Sequence, residues 1–414
     1  MQLPRLATIR QHVPSAPLPD VAQAVRDELA RINLGQQIKP GARIAVGAGS
    51  RGITNYALIV GTVIAELRRL GAEPFVFAAM GSHGGATTEG QREILTELGI
   101  SEERMGCPIL TDMAVVQLGT TTRGLPVFCD ANAYRSDGIM LINRIKLHTD
   151  FHGPTESGLH KMLAIGLGKR QGAELIHADG VPGLREHIPQ VAAVQLAQAP
   201  ILGGLAIIED GMHQVSHVRA VPAQAIPHQE PQLLEMSRQL MATLPVDHCH
   251  VLIVDWIGKD ISGAGMDSNV IGRIRIDGEI DPLRPQIDQI VALRLTPASH
   301  GNAIGTGFAD VIAQGLLDAM DAEITRINLV TSGFLRRGDI PKVQPTEHAA
   351  IMHALAATHR DDATIVRIRS TLQLDELQVS ENLLADLLRR PGIELVHPPE
   401  PMRFRGNGTV EDWD

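Results

Sequence analysis

Apolar runs ending near glycine alternate along this chain with segments of helical period. RIAVGAG (43–49) and PFVFAAMG (74–81) read as buried strands. NYALIVGTVIAELRRLG (55–71) and TTEGQREILTELG (87–99) read as the helices that follow them. GIMLINR (138–144), LGGLAIIED (202–210) and HVLIVDWIG (250–258) are further strand-like runs. Successive strand–helix units cross over in one hand, so the pattern predicts an α/β fold with mostly parallel sheets covered by helices.

After residue 246 the pattern restarts. QIVALRLT (289–296) reads as a strand and GFADVIAQGLLDAMD (307–321) as a helix. RINLVTSG (326–333) follows, then a helix over 345–358, the strand TIVRIRS (364–370) and a helix over 380–390. At 414 residues the chain has room for two or three domains. The expected division is an α/β domain over 1–245, a second over 246–395 and a C-terminal tail over 396–414, exposed or loosely docked at its end, with the active site in a cleft between the two domains. PAQAIPHQEP (222–231) reads as a loop, and the helical QLLEMSRQLMATL after it as the bridge between domains.

Composition removes several function classes. The net charge is −10 and aromatic residues make up 3% of the chain, so neither a basic stripe nor a base-stacking surface is available to nucleic acid. Cys107, Cys129 and Cys249 are odd in number and far apart, which is not a disulfide framework. The start MQLPRLATIRQH lacks the apolar centre of a secretory signal, and the longest apolar stretch, ALIVGTVIA, is too short to span a bilayer. A cytoplasmic protein without a membrane partner is expected.

GAGSRG (47–52) satisfies the dinucleotide pattern G-x-G-x-x-G by letter. That fingerprint also needs an acidic residue at the end of the next strand, and PFVFAAMGSHGG supplies none. The geometry still matters, because ligands of parallel sheets collect at carboxyl ends of strands. Arg51 follows one strand and His83 the next. An arginine there suits a carboxylate, and a histidine suits proton transfer near neutral pH.

Histidines and lysines are densest in NRIKLHTDFHGPTESGLHKMLAIGLGKRQGAELIHADG (143–180), which follows a third strand. It holds His148, His152, His160 and His177 with Lys146, Lys161 and Lys169. No zinc-finger or H-E-x-x-H spacing is present, and GLGKRQ lacks the full phosphate-loop pattern. Lys161 sits among apolar residues and glycines, where desolvation would lower its pKa and make it a nucleophile or covalent anchor.

These motifs resemble, in order, those of the lactate racemase family, which depends on a nickel-pincer nucleotide. GSRG is similar to its carboxylate-binding arginine motif and GSHGG to its first catalytic histidine motif. KLHTDF and ESGLHK are similar to its His…Ser-Gly…Lys motif, and LIHADG to the motif of its nickel ligand. The resemblance implies a racemase or epimerase acting at C2 of a 2-hydroxy acid by reversible hydride transfer through a 2-keto acid. It gives His83 and His148 the catalytic roles, Lys161 the covalent tether of the cofactor, His177 the nickel and Arg51 the substrate carboxylate. The domain over 1–245 would bind the cofactor, and that over 246–395 would close over the substrate. His152 and His160 compete with His148, which motif position alone favours.

GKDISGAGMDSNVIGR (258–273) and ASHGNAIGTGFAD (298–310) resemble a branch outside lactate racemase proper. Within them Lys259, Asp260, Asn269 and His300 are candidate substrate-binding residues, suited to a substrate with more hydroxyls, such as a sugar acid. Cofactor-synthesis proteins are the implied partners. Departures from the family pattern are Ala48, where an acidic residue is expected, and Leu159 and His160 in place of glycines. The competing readings are an NAD-dependent oxidoreductase using GAGSRG and a non-catalytic two-domain protein that clamps a small acid. HCH (248–250) is read as strand-edge packing rather than as a metal site.

Overall fold

In the strand Arg43–Ala48 only the first residue is exposed, as in a strand covered on both faces. Gly47 is a packing residue of this strand: a Cβ there would lie 2.8 Å from Leu141 and 2.9 Å from Phe77. In the computed structural model, which describes residues 3–413, this strand is central to a six-stranded sheet. The order is Ile109–Leu110, Glu73–Ala78, Arg43–Ala48, Gly138–Arg144, Ile201–Glu209, Val215–Pro222. All neighbours are parallel except the last pair.

The helix Tyr56–Arg69 forms because Tyr56, Ile59, Val60, Val63, Ile64 and Leu67 recur on one face and bury there. It stops at Gly71, whose φ of +84° suits glycine. Thr87 starts the helix Thr88–Glu97, its hydroxyl accepting the Gly90 N–H at 3.0 Å. These elements belong to a compact unit over Pro14–Met241.

The second unit runs from Ala242 onward and also contains the N-terminal residues up to Val13. Its eight-stranded sheet has the order Lys342–Gln344, Val311–Ala313, Gln286–Leu295, His248–Ile257, Ile365–Ile368, Glu376–Ser380, Arg5–Gln11, Ile393–Pro401. The first five strands are parallel and the last three join antiparallel. The α/β class with mostly parallel sheets is therefore as the sequence implies.

Local expectations differ in places. The start of the chain is a strand of the second unit, because Leu6, Ala7 and Ile9 bury against residues from the far end of the sequence. The segment 222–231 is helical rather than a loop: a short turn at Ala223–Ala225 leads into the helix Ile226–Leu240. Proline at the first helical positions costs no hydrogen bond, and Leu233 and Leu234 of the same helix enter the first unit's core. RINLVTSG lies in the helix Ala322–Ser332, started by Asp321, whose carboxylate accepts the Glu323 and Ile324 N–H groups at 2.9 Å each.

Of the expected tail, residues 396–413 dock at particular side chains while many of them stay exposed. Residues 396–401 complete the edge strand, and Val410 and Trp413 are buried. Arg367 makes a bidentate pair with Asp255, 2.9 Å at each bond, and its guanidinium stacks on the Trp413 ring at 4.4 Å. Arg367 also donates to the Glu411 carbonyl, Arg369 to that of Trp413 and Arg294 to that of Val410. Among the described residues, no helix is long and apolar enough to cross a membrane. Cys107, Cys129 and Cys249 are buried free thiols.

Asp255→Ala would strand the Arg367 charge in the interior, and about 3–5 kcal/mol of stability should be lost. Urea unfolding measures this, and a loss under about 1 kcal/mol, the range of an exposed ion pair, would contradict the buried-pair assignment. Truncation after Pro401 should lower the unfolding midpoint in the same experiment.

Candidate active site at the carboxyl edge of the first sheet

The order of the first sheet reverses beside the Arg43–Ala48 strand. The chain moves outward through Glu73–Ala78 to Ile109–Leu110, then returns to lay Gly138–Arg144 on the other side. Loops on the two sides of such a reversal part and leave a crevice at the carboxyl edge. Arg51 lies in the loop after the first strand, His83 after the second and His148 after Gly138–Arg144.

The dinucleotide reading of GAGSRG fails here. The Gly49 N–H, at the strand end where a phosphate would be cradled, donates at 2.7 Å to the buried Tyr56 hydroxyl. The following helix begins only at Tyr56, so its N-terminus does not abut the glycine turn.

The loop after Gly138–Arg144 is closed by backbone bonds between Lys146 and Ser157. The Glu156 carboxylate, with no exposed surface, organises its interior. It accepts the His148 N–H at 2.6 Å and the Gly153 N–H at 3.2 Å, and it lies 3.2 Å from His152 Nδ1. His160 is buried, with Nδ1 2.8 Å from Glu230. His152 and His160 thus lie against Glu156 and Glu230, whereas His148 Nε2 lies 2.8 Å from Lys161 Nζ.

Lys161 ends the turn Leu159–Lys161, and Met162–Gly166 then form a wide π-type turn, a form frequent at functional sites. All five residues of that turn are buried. Gly81, from the His83 loop, packs on it with a φ of +57°, and a Cβ there would lie 2.8 Å from Ile165. The helix Lys169–Ala178 carries His177 in its last turn.

Burial lowers the Lys161 pKa to about 8; Arg51 and Lys146 push the same way and Asp150 opposes them. Burial also depresses His177, with Lys161 adding to the effect and the Ala173 carbonyl and Asp150 opposing it. Arg51, accessible to solvent, is depressed by its crowded surroundings and by Arg144, again against Asp150. Arg51, Lys161 and His177 thus share one electrostatic neighbourhood around Asp150, whose carboxylate is 3.5 Å from His148 Nδ1. Among the described residues, Arg51 is committed to no ion pair. Sequence reading passed over Asp150, Glu156 and Glu230; the Asp in KLHTD was the one available signal.

Hydrogen bonding assigns the ring protons. His148 Nδ1 accepts the Asp150 N–H at 3.1 Å, which leaves the proton of the neutral ring on Nε2, facing Lys161. Lys161 would meet that proton in its neutral amine form, which a pKa of about 8 makes accessible from just above neutrality. His83 Nδ1 donates to the Met80 carbonyl at 2.7 Å and His177 Nδ1 to that of Ala173 at 2.7 Å. Both rings therefore carry a lone pair on Nε2.

In the second unit, Lys259, Asp260 and His300 come together in loops at the carboxyl ends of His248–Ile257 and Gln286–Leu295. The Lys259 N–H donates to Ser299 Oγ at 2.8 Å, and its Nζ lies 2.6 Å from the Gly263 carbonyl and 3.0 Å from Asn328. Asp260 accepts from Thr296 and Ser299, and His300 is exposed with a φ of +48°. Asn269 donates both its N–H and its side-chain amide to Asp267, at 3.0 and 2.9 Å, which is turn chemistry. His248, His250 and Asp288 offer ligand atoms within 4.8 Å of one another. His250 Nδ1 is already engaged by Thr364, 3.0 Å from its N–H and 2.6 Å from its Oγ1.

Amine acylation followed by peptide mass spectrometry should show Lys161 labelling rise through about pH 8, well below the 10.5 of an ordinary lysine. Asp150→Asn removes a charge that holds the ammonium form, so the midpoint should fall further. A wild-type midpoint at the ordinary lysine value would refute the desolvated setting.

Comparison with known proteins yields a partial match. Residues 6–181 match the family model described as lactate racemase N-terminal domain. No curated protein matches the chain. The lactate racemase apoprotein from Thermoanaerobacterium thermosaccharolyticum is similar in fold, with a TM-score of 0.55 at 13% identity, covering 88% of this chain and 94% of that one. A crystal structure of a Thermotoga maritima protein aligns with a TM-score of 0.49 at 14% identity, over 68% of this chain and 72% of that one. Arg51, His83, His148, Lys161 and His177 all lie within the residues, 6–181, that match this N-terminal domain model.

Proposed function

We propose that the protein is a cytoplasmic, nickel-pincer-dependent racemase or epimerase acting at C2 of a 2-hydroxy acid. The observation that carries this reading is the contrasting hydrogen bonding of Nδ1 in two imidazoles at one sheet edge, to a carbonyl in His83 and to an N–H in His148. His83 presents a lone pair on Nε2, and His148 presents a proton on Nε2. Inverting a hydroxylated carbon through a keto intermediate needs one group to take the hydroxyl proton and another to return a proton to oxygen. Starting from the opposite enantiomer, the two roles exchange.

Each side chain has a task in this scheme. Arg51, free of ion pairs among the described residues, would hold the substrate carboxylate through a bidentate pair. His83 would accept the hydroxyl proton, and His148 would protonate the oxygen as the keto carbon is reduced. The C2 hydrogen is poorly acidic, so its loss as hydride avoids a carbanion. The bound nucleotide would supply that chemistry, accepting the hydride and giving it back.

The donor set fits such a group. His177 has its Nδ1–H held by the Ala173 carbonyl and its pKa lowered, so a neutral imidazole nitrogen is available, a ligand that suits Ni(II). Lys161, with a pKa of about 8, suits covalent attachment. Acylation of its nitrogen would withdraw the lone pair from His148 and release the Nε2–H for a substrate oxygen. Dedicated synthesis proteins would provide the cofactor. Lys259, Asp260, Asn269 and His300 remain candidates for hydroxyl groups of a longer substrate, such as a sugar acid.

Protein co-expressed with pincer-synthesis proteins should epimerise a member of a 2-hydroxy acid panel and carry a mass adduct on Lys161. A C2-deuterated substrate should keep its label through inversion; washout into water would point to proton abstraction instead. His83→Ala and His148→Ala should each cost about 10²–10⁴-fold in kcat. Undiminished activity in the double variant would end the catalytic assignment. Binding of a small acid without any epimer formation would favour the clamp reading, and a requirement for added NAD the oxidoreductase.

A further inference from the structure

The lysine of GLGKRQ serves no phosphate loop. Lys169 opens the helix that carries His177 and has no exposed surface. Its Nζ lies 2.9 Å from the Ala78 carbonyl at the end of a strand, 3.0 Å from Asp130 Oδ2 and 3.4 Å from Gln91 Oε1. Gln91 is likewise fully buried. Its amide donates to the main-chain carbonyls of Gly81 at 2.9 Å and His83 at 3.3 Å. Asp130 is 1% exposed; its Oδ1 caps the turn Ala131–Tyr134, and its N–H donates to the Leu167 carbonyl at 2.7 Å. One buried ion pair therefore joins the His83 loop, the end of the turn after Lys161 and the start of the His177 helix.

We infer that Asp130, Lys169 and Gln91 are positioning residues that set the direction and ring tautomer of His83; the inference rests on the proposed proton-accepting role of His83. A buried charged pair is a poor source of stability compared with apolar residues of the same volume. What this one supplies is direction. Lys169 orients the Gln91 carboxamide, oxygen toward the ammonium and N–H groups toward the loop. The loop carbonyls at 81 and 83 are thereby fixed, with the Met80 carbonyl that receives the His83 Nδ1–H one residue before them. The glycines around His83 would otherwise leave this turn free to move.

Gln91→Glu separates positioning from mere stability. The new carboxylate keeps its partner in Lys169 but has no N–H for the carbonyls at 81 and 83. In the apoprotein, amide exchange over 83–87 should accelerate by about tenfold or more while the strand ends stay protected. The ¹⁵N chemical shifts of the His83 ring should move from a fixed Nδ1–H form toward an average of both tautomers. In cofactor-loaded enzyme kcat should fall about tenfold to a hundredfold with KM little changed. Gln91→Met, which removes the donors without adding charge, should do the same. Wild-type exchange and an unaltered His83 tautomer in both variants would overturn the inference. The exchange and ring measurements need no activity, so wild-type protein that epimerises nothing would sink the proposed reaction and leave this result standing.

Discussion

The amine of the partly buried Lys161 is held 2.8 Å from an imidazole, and the rest of the candidate site answers to that placement. Burial disfavours its charge, and two neighbouring cations disfavour it further. A neutral amine can accept the His148 Nε2 proton, so the state of one residue selects the form of the other. Asp150 limits the effect: without one carboxylate, Arg51, Lys161 and Lys146 would face each other with no counter-charge among the groups acting on Lys161.

Buried carboxylates hold two of the histidines of the segment that carries Lys161. Glu156 and Glu230 hold His152 and His160, and their backbone contacts shape the path of the chain to Lys161. Asp130 acts from the other side through Lys169. Each of these acids is almost wholly buried; Glu156 accepts from several donors, whereas Glu230 Oε1 and Asp130 Oδ2, the latter ion-paired with Lys169, have no hydrogen-bond partner among the described residues. Protons, rather than shape alone, are distributed by this arrangement: His83 and His177 donate Nδ1–H to main-chain carbonyls, while His148 Nδ1 accepts a main-chain N–H.

The second unit solves a different problem. Its sheet takes strands from both ends of the chain, and the last residues are locked over it by Arg294, Arg367 and Arg369. Guanidinium groups suit this task because one planar fork can serve a carboxylate, a carbonyl and an indole face together. The loops with Lys259, Asp260 and His300 leave the carboxyl ends of parallel strands, as those of the first unit do.

Alternation of apolar runs with helical period was enough to determine a mostly parallel α/β fold, because each run must bury both faces and each helix one. The same order put Arg51, His83 and His148 after strands, and the apolar setting of Lys161 announced its desolvation. Tertiary structure alone decided the rest. Pairing of the first strand with residues near the end of the chain has no local signal. The partner of His160 lies 70 residues away, in a segment whose prolines read as a loop. Above all, which ring nitrogen carries a proton depends on the hydrogen-bonding group opposite it, and backbone carbonyls and amides have no letter in a sequence.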